Sequence, residues 1–303
     1  MQEIRNNDSA VRVRKIRIHS EDGAQADATA FAPEQTSPKA VIVCTPAIGM
    51  AARYYESLGR ELARLGFCAV TADLRGVGSS TVRARRGVDF GYRELIAYDL
   101  PAVIAAARAM YPTTPLLLLG HSIGAHISAM YASVNPGAVR GLIYVAAGTS
   151  FYKNWEFPGN LWLLGAALLT RSVSAVLGYF PGRTFRLFGT EARRLMQEWS
   201  ALTTGGRFNV TGGQHDFEQT LPSVTLPILA LSFEGDHFAP VTAVRHLLAK
   251  TPRAATTETR LRPADLNAPS LDHFRWTKYP VPLAAIIGRW IVETPRVLSP
   301  ATS

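Results

Sequence analysis

Cysteine is scarce in this chain: Cys44 and Cys68 are the only two in 303 residues, and both fall within apolar runs. A disulfide framework is therefore not expected, and both read as small core residues of a reduced, cytoplasmic protein. No cysteine and histidine grouping has metal-ligand spacing and no glycine-rich loop has a phosphate-cradling pattern, so neither a metal nor a cofactor is expected. The N-terminus lacks the basic-then-apolar order of a signal peptide. Apolar stretches such as Leu161 to Leu169 fall well short of the roughly 20 residues of a membrane span, so no integral membrane segment is expected. Internal repeats and low-complexity tracts are absent, and the polar ends, Met1–Ala10 and Ser299–Ser303, read as frayed.

Acidic residues are outnumbered: the net charge is +9 and the pI near 9.8. The densest basic cluster, Arg83, Arg85 and Arg86, has no aromatic residues between its members and no nucleic-acid-binding motif beside it. That argues against a nucleic-acid partner and for a solvated loop, with attraction to an anionic surface or substrate as the weaker reading.

What is present is an apolar fraction of 47%, enough for one large α/β domain with an insertion. Val11, Val13, Ile16 and Ile18 and then Ala28, Ala30 and Phe31 suggest two edge strands in a hairpin-like start. Ala40–Cys44 is an uninterrupted apolar run, as expected of a strand buried on both faces of a mainly parallel sheet. Tyr54, Leu58, Leu62 and Leu65 recur at helical spacing, and Phe67–Ala72 is the next strand, which makes a right-handed βαβ unit. Tyr92–Met110 reads as helical, with Asp99 and Pro101 placed like an N-cap and a first-turn proline. Leu142–Ala146 and Pro227–Phe233 are further buried strands, Thr256–Leu261 a last one, and Leu283, Ile286, Ile287 and Ile291 one face of a closing helix.

Between Ser150 and His215 the strand–helix alternation stops and aromatic residues crowd in, among them Trp155, Trp162, Phe188 and Trp199. An aromatic-rich excursion between sheet strands reads as a cap over a pocket, residues 149–215, set on a core of residues 1–148 and 216–303. Trp155 and Trp162 are the candidate substrate-binding residues.

The stretch Leu116–Ala125 organises the rest. Four leucines run into Gly120-His121-Ser122-Ile123-Gly124 and then into small residues, the pattern of a buried strand turning sharply into a helix with one hydroxyl exposed. A serine hydroxyl needs a base to take its proton, and the base needs an acid to fix its tautomer. Ser122, Asp236 and His273 each follow an inferred strand and stand in the chain order serine, acid, histidine. His215 rivals His273, which is favoured because it follows the last strand; Glu234 and Asp216 compete with Asp236. His121 should point away from the hydroxyl, and His126 is most simply a packed core group. The N–H of Ile123, next after the nucleophile, is an oxyanion donor by geometry, and Ala47, after the central strand, is expected to supply the second because Pro46 has no N–H.

These residues resemble the α/β-hydrolase superfamily of serine hydrolases, in particular its monoacylglycerol lipase-like and serine aminopeptidase-like branch. The matching stretches are Asp73–Ser79, Gly120–Gly124, Gly235-Asp236 with Pro240, and Asp272-His273-Phe274. The resemblance implies a mostly parallel eight-stranded sheet flanked by helices with an inserted helical cap. It also implies Ser122 as nucleophile, Asp236 as acid, His273 as base, and Ala47 and Ile123 as the oxyanion hole. The chain departs from its relatives at Thr45-Pro46, where they usually carry His-Gly. The expected activity is cleavage of a carboxylic ester through an acyl-enzyme on Ser122, with a small-molecule acyl ester or related acyl compound as the partner. An acyltransferase or thioesterase on the same triad is the nearest rival, a binding protein with a silent triad a further one, and a homodimer is left open.

Overall fold

The structure, a computed structural model, describes residues 10–185 and 189–298. Residues 1–9 and 299–303, where fraying was expected, and Phe188 of the insertion lie outside the described residues. The strands are β1 Val11–His19, β2 Gln25–Pro33, β3 Val41–Thr45, β4 Cys68–Ala72, β5 Leu116–His121 and β6 Gly141–Val145, then the short pair β7 Tyr179–Pro181 and β8 Thr190–Ala192, then β9 Ile228–Phe233 and β10 Thr256–Leu261. Apart from β7 and β8 they form one eight-stranded sheet in the order β1-β2-β4-β3-β5-β6-β9-β10. β1 pairs antiparallel with β2 and β2 with β4, and all later pairings are parallel, as the sequence led us to expect.

β3, β4, β5, β6 and β9 are buried along their whole length, which is why they read as continuous apolar runs rather than alternating ones. β10, at the open edge, is largely exposed and correspondingly polar. Helices α1 Glu56–Arg64, α2 Leu100–Met110, α3 Ile123–Val134, α6 Val241–Leu248 and α7 Pro280–Glu293 flank the sheet, while α4 Gly159–Leu177 and α5 Arg193–Gly205 belong to the insertion. Cys44 and Cys68 are free and buried, and the register Val41↔Cys68 and Cys44↔Thr71 sets them at opposite ends of adjacent parallel strands. Burial pushes both thiols up to about 12, so they are inert at neutral pH.

One local expectation is corrected. Asp99 is not an N-cap: a π-helical turn over Leu95–Asp99 runs directly into α2, and the Asp99 carboxylate instead takes the N–H and guanidinium of buried Arg75. A buried arginine is a stronger donor than a helix end that Pro101 has already relieved of one N–H. The apolar stretch Leu161–Leu169 lies within α4, a helix of 19 residues that is long and apolar enough, by length and composition only, to cross a membrane.

α4 lies in the insertion between β6 and β9. Its buried stripe, Leu163, Ala167, Thr170 and Ser174, recurs at helical spacing and packs on α5.

Candidate active site

Ser122 occupies the tight turn between β5 and α3 with φ 54° and ψ −120°, a left-handed conformation that a non-glycine residue takes only when its surroundings hold it there. Those surroundings are close. A Cβ at Gly120 would sit 2.3 Å from the Ala125 nitrogen and one at Gly124 2.1 Å from the Thr45 carbonyl oxygen, so both flanking positions must be glycine. The Ser122 N–H donates to the Val145 carbonyl at 3.1 Å, which ties the turn to the neighbouring strand β6.

Asp236 and His273 meet from the loops after β9 and β10. His273 Nδ1 lies 2.9 Å and 3.1 Å from the two carboxylate oxygens of Asp236. Asp236 Oδ1 also accepts the N–H groups of Phe238 and Ala239, at 2.9 and 3.0 Å, so the carboxylate is held in one orientation. Both side chains are buried. Since Nδ1 faces a carboxylate it carries the proton, and Nε2 is left as the basic atom. His273 and Ser122 line the same cavity, and among the described residues neither Ser122 Oγ nor His273 Nε2 has a hydrogen-bond partner. The rivals lie elsewhere. His215 is exposed and lines a different, polar depression with Asp216, which caps the short helix Phe217–Thr220, and Glu234 is exposed.

His121 points away from the cavity, as expected, and does more than fill space. The Ala47 N–H donates to Tyr55 Oη at 3.0 Å, the Tyr55 hydroxyl to His121 Nδ1 at 2.8 Å, and His121 Nε2 to the His273 carbonyl at 2.9 Å. Burial, with His273 nearby, holds His121 well below the usual histidine range, so the ring is neutral and donates from Nε2 alone. The chain of bonds links the loop after β3 to the backbone of the histidine loop. The Ala47 N–H, expected from the sequence to be the second oxyanion donor, has Tyr55 Oη as its partner in this structure. The Ile123 N–H has no hydrogen-bond partner among the described residues. Tyr55 itself sits on the turn Ala52–Tyr55, which Asp73 anchors by accepting the Ala52 N–H at 2.7 Å. Asp73 also takes the Ser79 N–H at 2.7 Å, and a Cβ at Gly78 would meet its carboxylate at 2.0 Å. The Asp73–Ser79 motif thus serves the geometry of the loop opposite.

The cavity over these groups has a volume of about 510 Å³. Ser122, Ile123 and Ala47 line it from the core, while Trp155, Trp162, Leu163 and Trp199 come from the insertion. Trp155 Nε1 donates to the His237 carbonyl at 2.8 Å, which fixes its ring against the acid loop. Three wall residues were missed from the sequence as site residues: Phe238 and Phe274, which pack on the His273 ring, and His126. Sequence adjacency to Asp236 and His273 could have flagged the phenylalanines. His126 accepts the Tyr92 hydroxyl at Nδ1 and donates from Nε2 to the Gly148 carbonyl, both at 2.9 Å. Burial lowers it to about 4, so it enters the wall as a neutral, fully occupied ring rather than as a base.

The serine aminopeptidase S33 family model matches residues 36–262. The chain belongs to the S33 serine aminopeptidase family and is an α/β-hydrolase. A monoglyceride lipase of Rattus norvegicus is 25% identical over 221 residues, 71% of each chain. A monoglyceride lipase homolog of monkeypox virus is 30% identical over 111 residues, and that match spans 37% of this chain and 39% of the viral protein. Among solved structures, the α/β hydrolase GrgF from Penicillium superposes with a TM-score of 0.64 at 13% identity, covering 94% of this chain and 99% of that one. An esterase of Pyrococcus furiosus gives 0.59 at 14% identity, with 96% of each covered. At these identities the structural likeness of this S33 hydrolase is one of fold.

Proposed function

We propose that this S33 hydrolase cleaves a carboxylic ester through an acyl-enzyme on Ser122. One observation carries the reading: an Asp236–His273 pair whose free Nε2 opens into the cavity that also receives the strained Ser122. His273 Nε2 takes the Ser122 proton as Oγ adds to the ester carbonyl, and the charge that develops on the carbonyl oxygen is met by the Ile123 N–H. Ala47 adds its N–H only by sharing it with, or releasing it from, Tyr55. Collapse of the tetrahedral adduct expels the alcohol, which takes the proton from His273. Water then repeats these steps on the acyl-enzyme and releases the acid, and Asp236 holds the imidazolium that forms at each stage.

The two insertion helices α4 and α5 act as the lid of the site. Their tryptophans, with Phe238 and Phe274, make the walls apolar, and each substrate methylene buried there contributes ~0.8 kcal/mol. The rat and viral relatives are named for glyceride cleavage, which fits an ester with an apolar acyl chain. Labelling with a fluorophosphonate tests the reading. Stoichiometric labelling of the wild type and none of Ser122→Ala is expected; a folded wild type that neither labels nor hydrolyses p-nitrophenyl butyrate would make the triad silent.

A further inference from the structure

Glu198 lies in the middle of α5 and is only 3% exposed, yet no step of the proposed hydrolysis uses it. A carboxyl is buried at a cost unless its oxygens find donors. Both do. Oε2 accepts the Tyr92 N–H at 2.8 Å and Oε1 the Thr211 N–H at 2.7 Å. The core is shaped to receive this group: a Cβ at Gly91 would stand 2.4 Å from Oε2, so the approach of the carboxyl requires glycine at 91.

The bonds continue beyond Glu198. The Tyr92 hydroxyl donates to His126 Nδ1 and His126 Nε2 donates to the Gly148 carbonyl, both at 2.9 Å. Gly148 stands where the chain enters the insertion after β6, and Thr211 lies on its return toward β9. Four hydrogen bonds, running Thr211–Glu198–Tyr92–His126–Gly148, therefore tie both ends of the insertion to the core. The start of α5 is fastened to the same core segment, with the Arg194 N–H on Asp89 Oδ1 at 2.8 Å and the Leu195 N–H on the Phe90 carbonyl at 3.1 Å. Three cavity residues sit on or beside the run: His126 and Gly148 within it, and Trp199 next to Glu198 on α5. Among the described residues no side chain of Ser122, Asp236 or His273 bonds to it.

We infer, on the basis of the ester cleavage proposed above, that Glu198 is a positioning residue: through Tyr92 and His126 it fixes the wall of the cavity over Ser122 and so sets which acyl chains the site holds. A carboxyl suits the place because each of its oxygens can accept an N–H. A Gln amide keeps one acceptor and must turn its NH₂ against either the Tyr92 or the Thr211 N–H. Glu198→Gln therefore breaks the run at one point with little change in size.

Steady-state hydrolysis of p-nitrophenyl acetate and hexanoate by the wild type, Glu198→Gln, Tyr92→Phe and the double variant tests this, with a thermal melt of each. Glu198→Gln should raise KM for hexanoate about tenfold, the order expected when one buried N–H is left unsatisfied. KM for acetate, which reaches little of the wall, and kcat on both esters should stay within about twofold. Tyr92→Phe takes the donor from His126 Nδ1 and should shift KM the same way; should Glu198→Gln not fold, this variant alone carries the expectation. In the double variant the second change should add little, because the run is already broken. A merely structural Glu198 would lower Tm and leave the ratio of the two KM values as in the wild type, and that result would overturn the inference. Equal losses on both esters, or increments that add in full in the double variant, would do the same. A wild type that hydrolyses neither ester would overturn the proposed reaction and the inference together, whereas an active wild type with unaltered folded variants overturns the inference alone.

Discussion

Replacing Asp236 by Asn exchanges one carboxylate oxygen for an NH₂ group and removes the charge while keeping the shape, and the bonds around the carboxylate dictate the consequence. Asp236 Oδ1 accepts two backbone N–H groups, from Phe238 and Ala239. An Asn amide must keep its oxygen on those donors, since the reverse orientation would set its NH₂ against two N–H groups. Its NH₂ then faces His273 Nδ1, which must become the acceptor, and the proton moves to Nε2. A histidine protonated at Nε2 cannot take the Ser122 proton. The expected loss in kcat is on the order of 10⁴-fold, about 5.4 kcal/mol of transition-state stabilisation. Asp236 does not line the cavity, so KM should stay within a few-fold of wild type. Steady-state hydrolysis of p-nitrophenyl butyrate, beside a thermal melt showing the variant folded, reads this out. A folded Asp236→Asn enzyme that keeps more than a tenth of wild-type kcat would refute the assignment of base and acid together.

Three further outcomes are expected. If the tryptophans line an acyl pocket, kcat/KM on p-nitrophenyl esters should rise from acetate to hexanoate, and Trp155→Ala or Trp162→Ala should flatten the rise; a flat wild-type profile would count against the apolar pocket. Tyr55→Phe leaves His121 Nδ1 buried without a donor and loosens the link to the His273 backbone, so kcat should drop about tenfold with KM retained; an increase in kcat would show instead that Tyr55 competes with the oxyanion for the Ala47 N–H. Burial raises Glu191 and Glu198 from 4.5 to about 7, so the folded chain holds two protons that the unfolded chain has released. Stability from these groups is fully present below about pH 4.5 and lost as the pH rises to about 7, and urea unfolding at about pH 5 and about pH 8 should show the difference, reduced in Glu191→Gln.

The Ser122 turn was legible because its demands are local. A strained serine between a buried strand and a helix forces glycine at 120 and 124 whatever the rest of the fold does, and that leaves a mark in the sequence. The parallel sheet was legible for the same kind of reason, since burial on both faces writes unbroken apolar runs into β3, β5 and β9. Asp236 and His273 could be picked out by their places after strands. Which way a backbone N–H points, or which side of a helix meets the protein, leaves no such mark. The engagement of Ala47 by Tyr55, the bonds from Tyr55 through His121 to His273, and the pairing of Asp99 with Arg75 join residues far apart in the chain through groups nearly every residue carries. The sequence of α4 shows apolar residues nearly all round. Only packing on α5 decided that Ala167 and Ser174 would be buried and Leu168 and Val176 left facing outward.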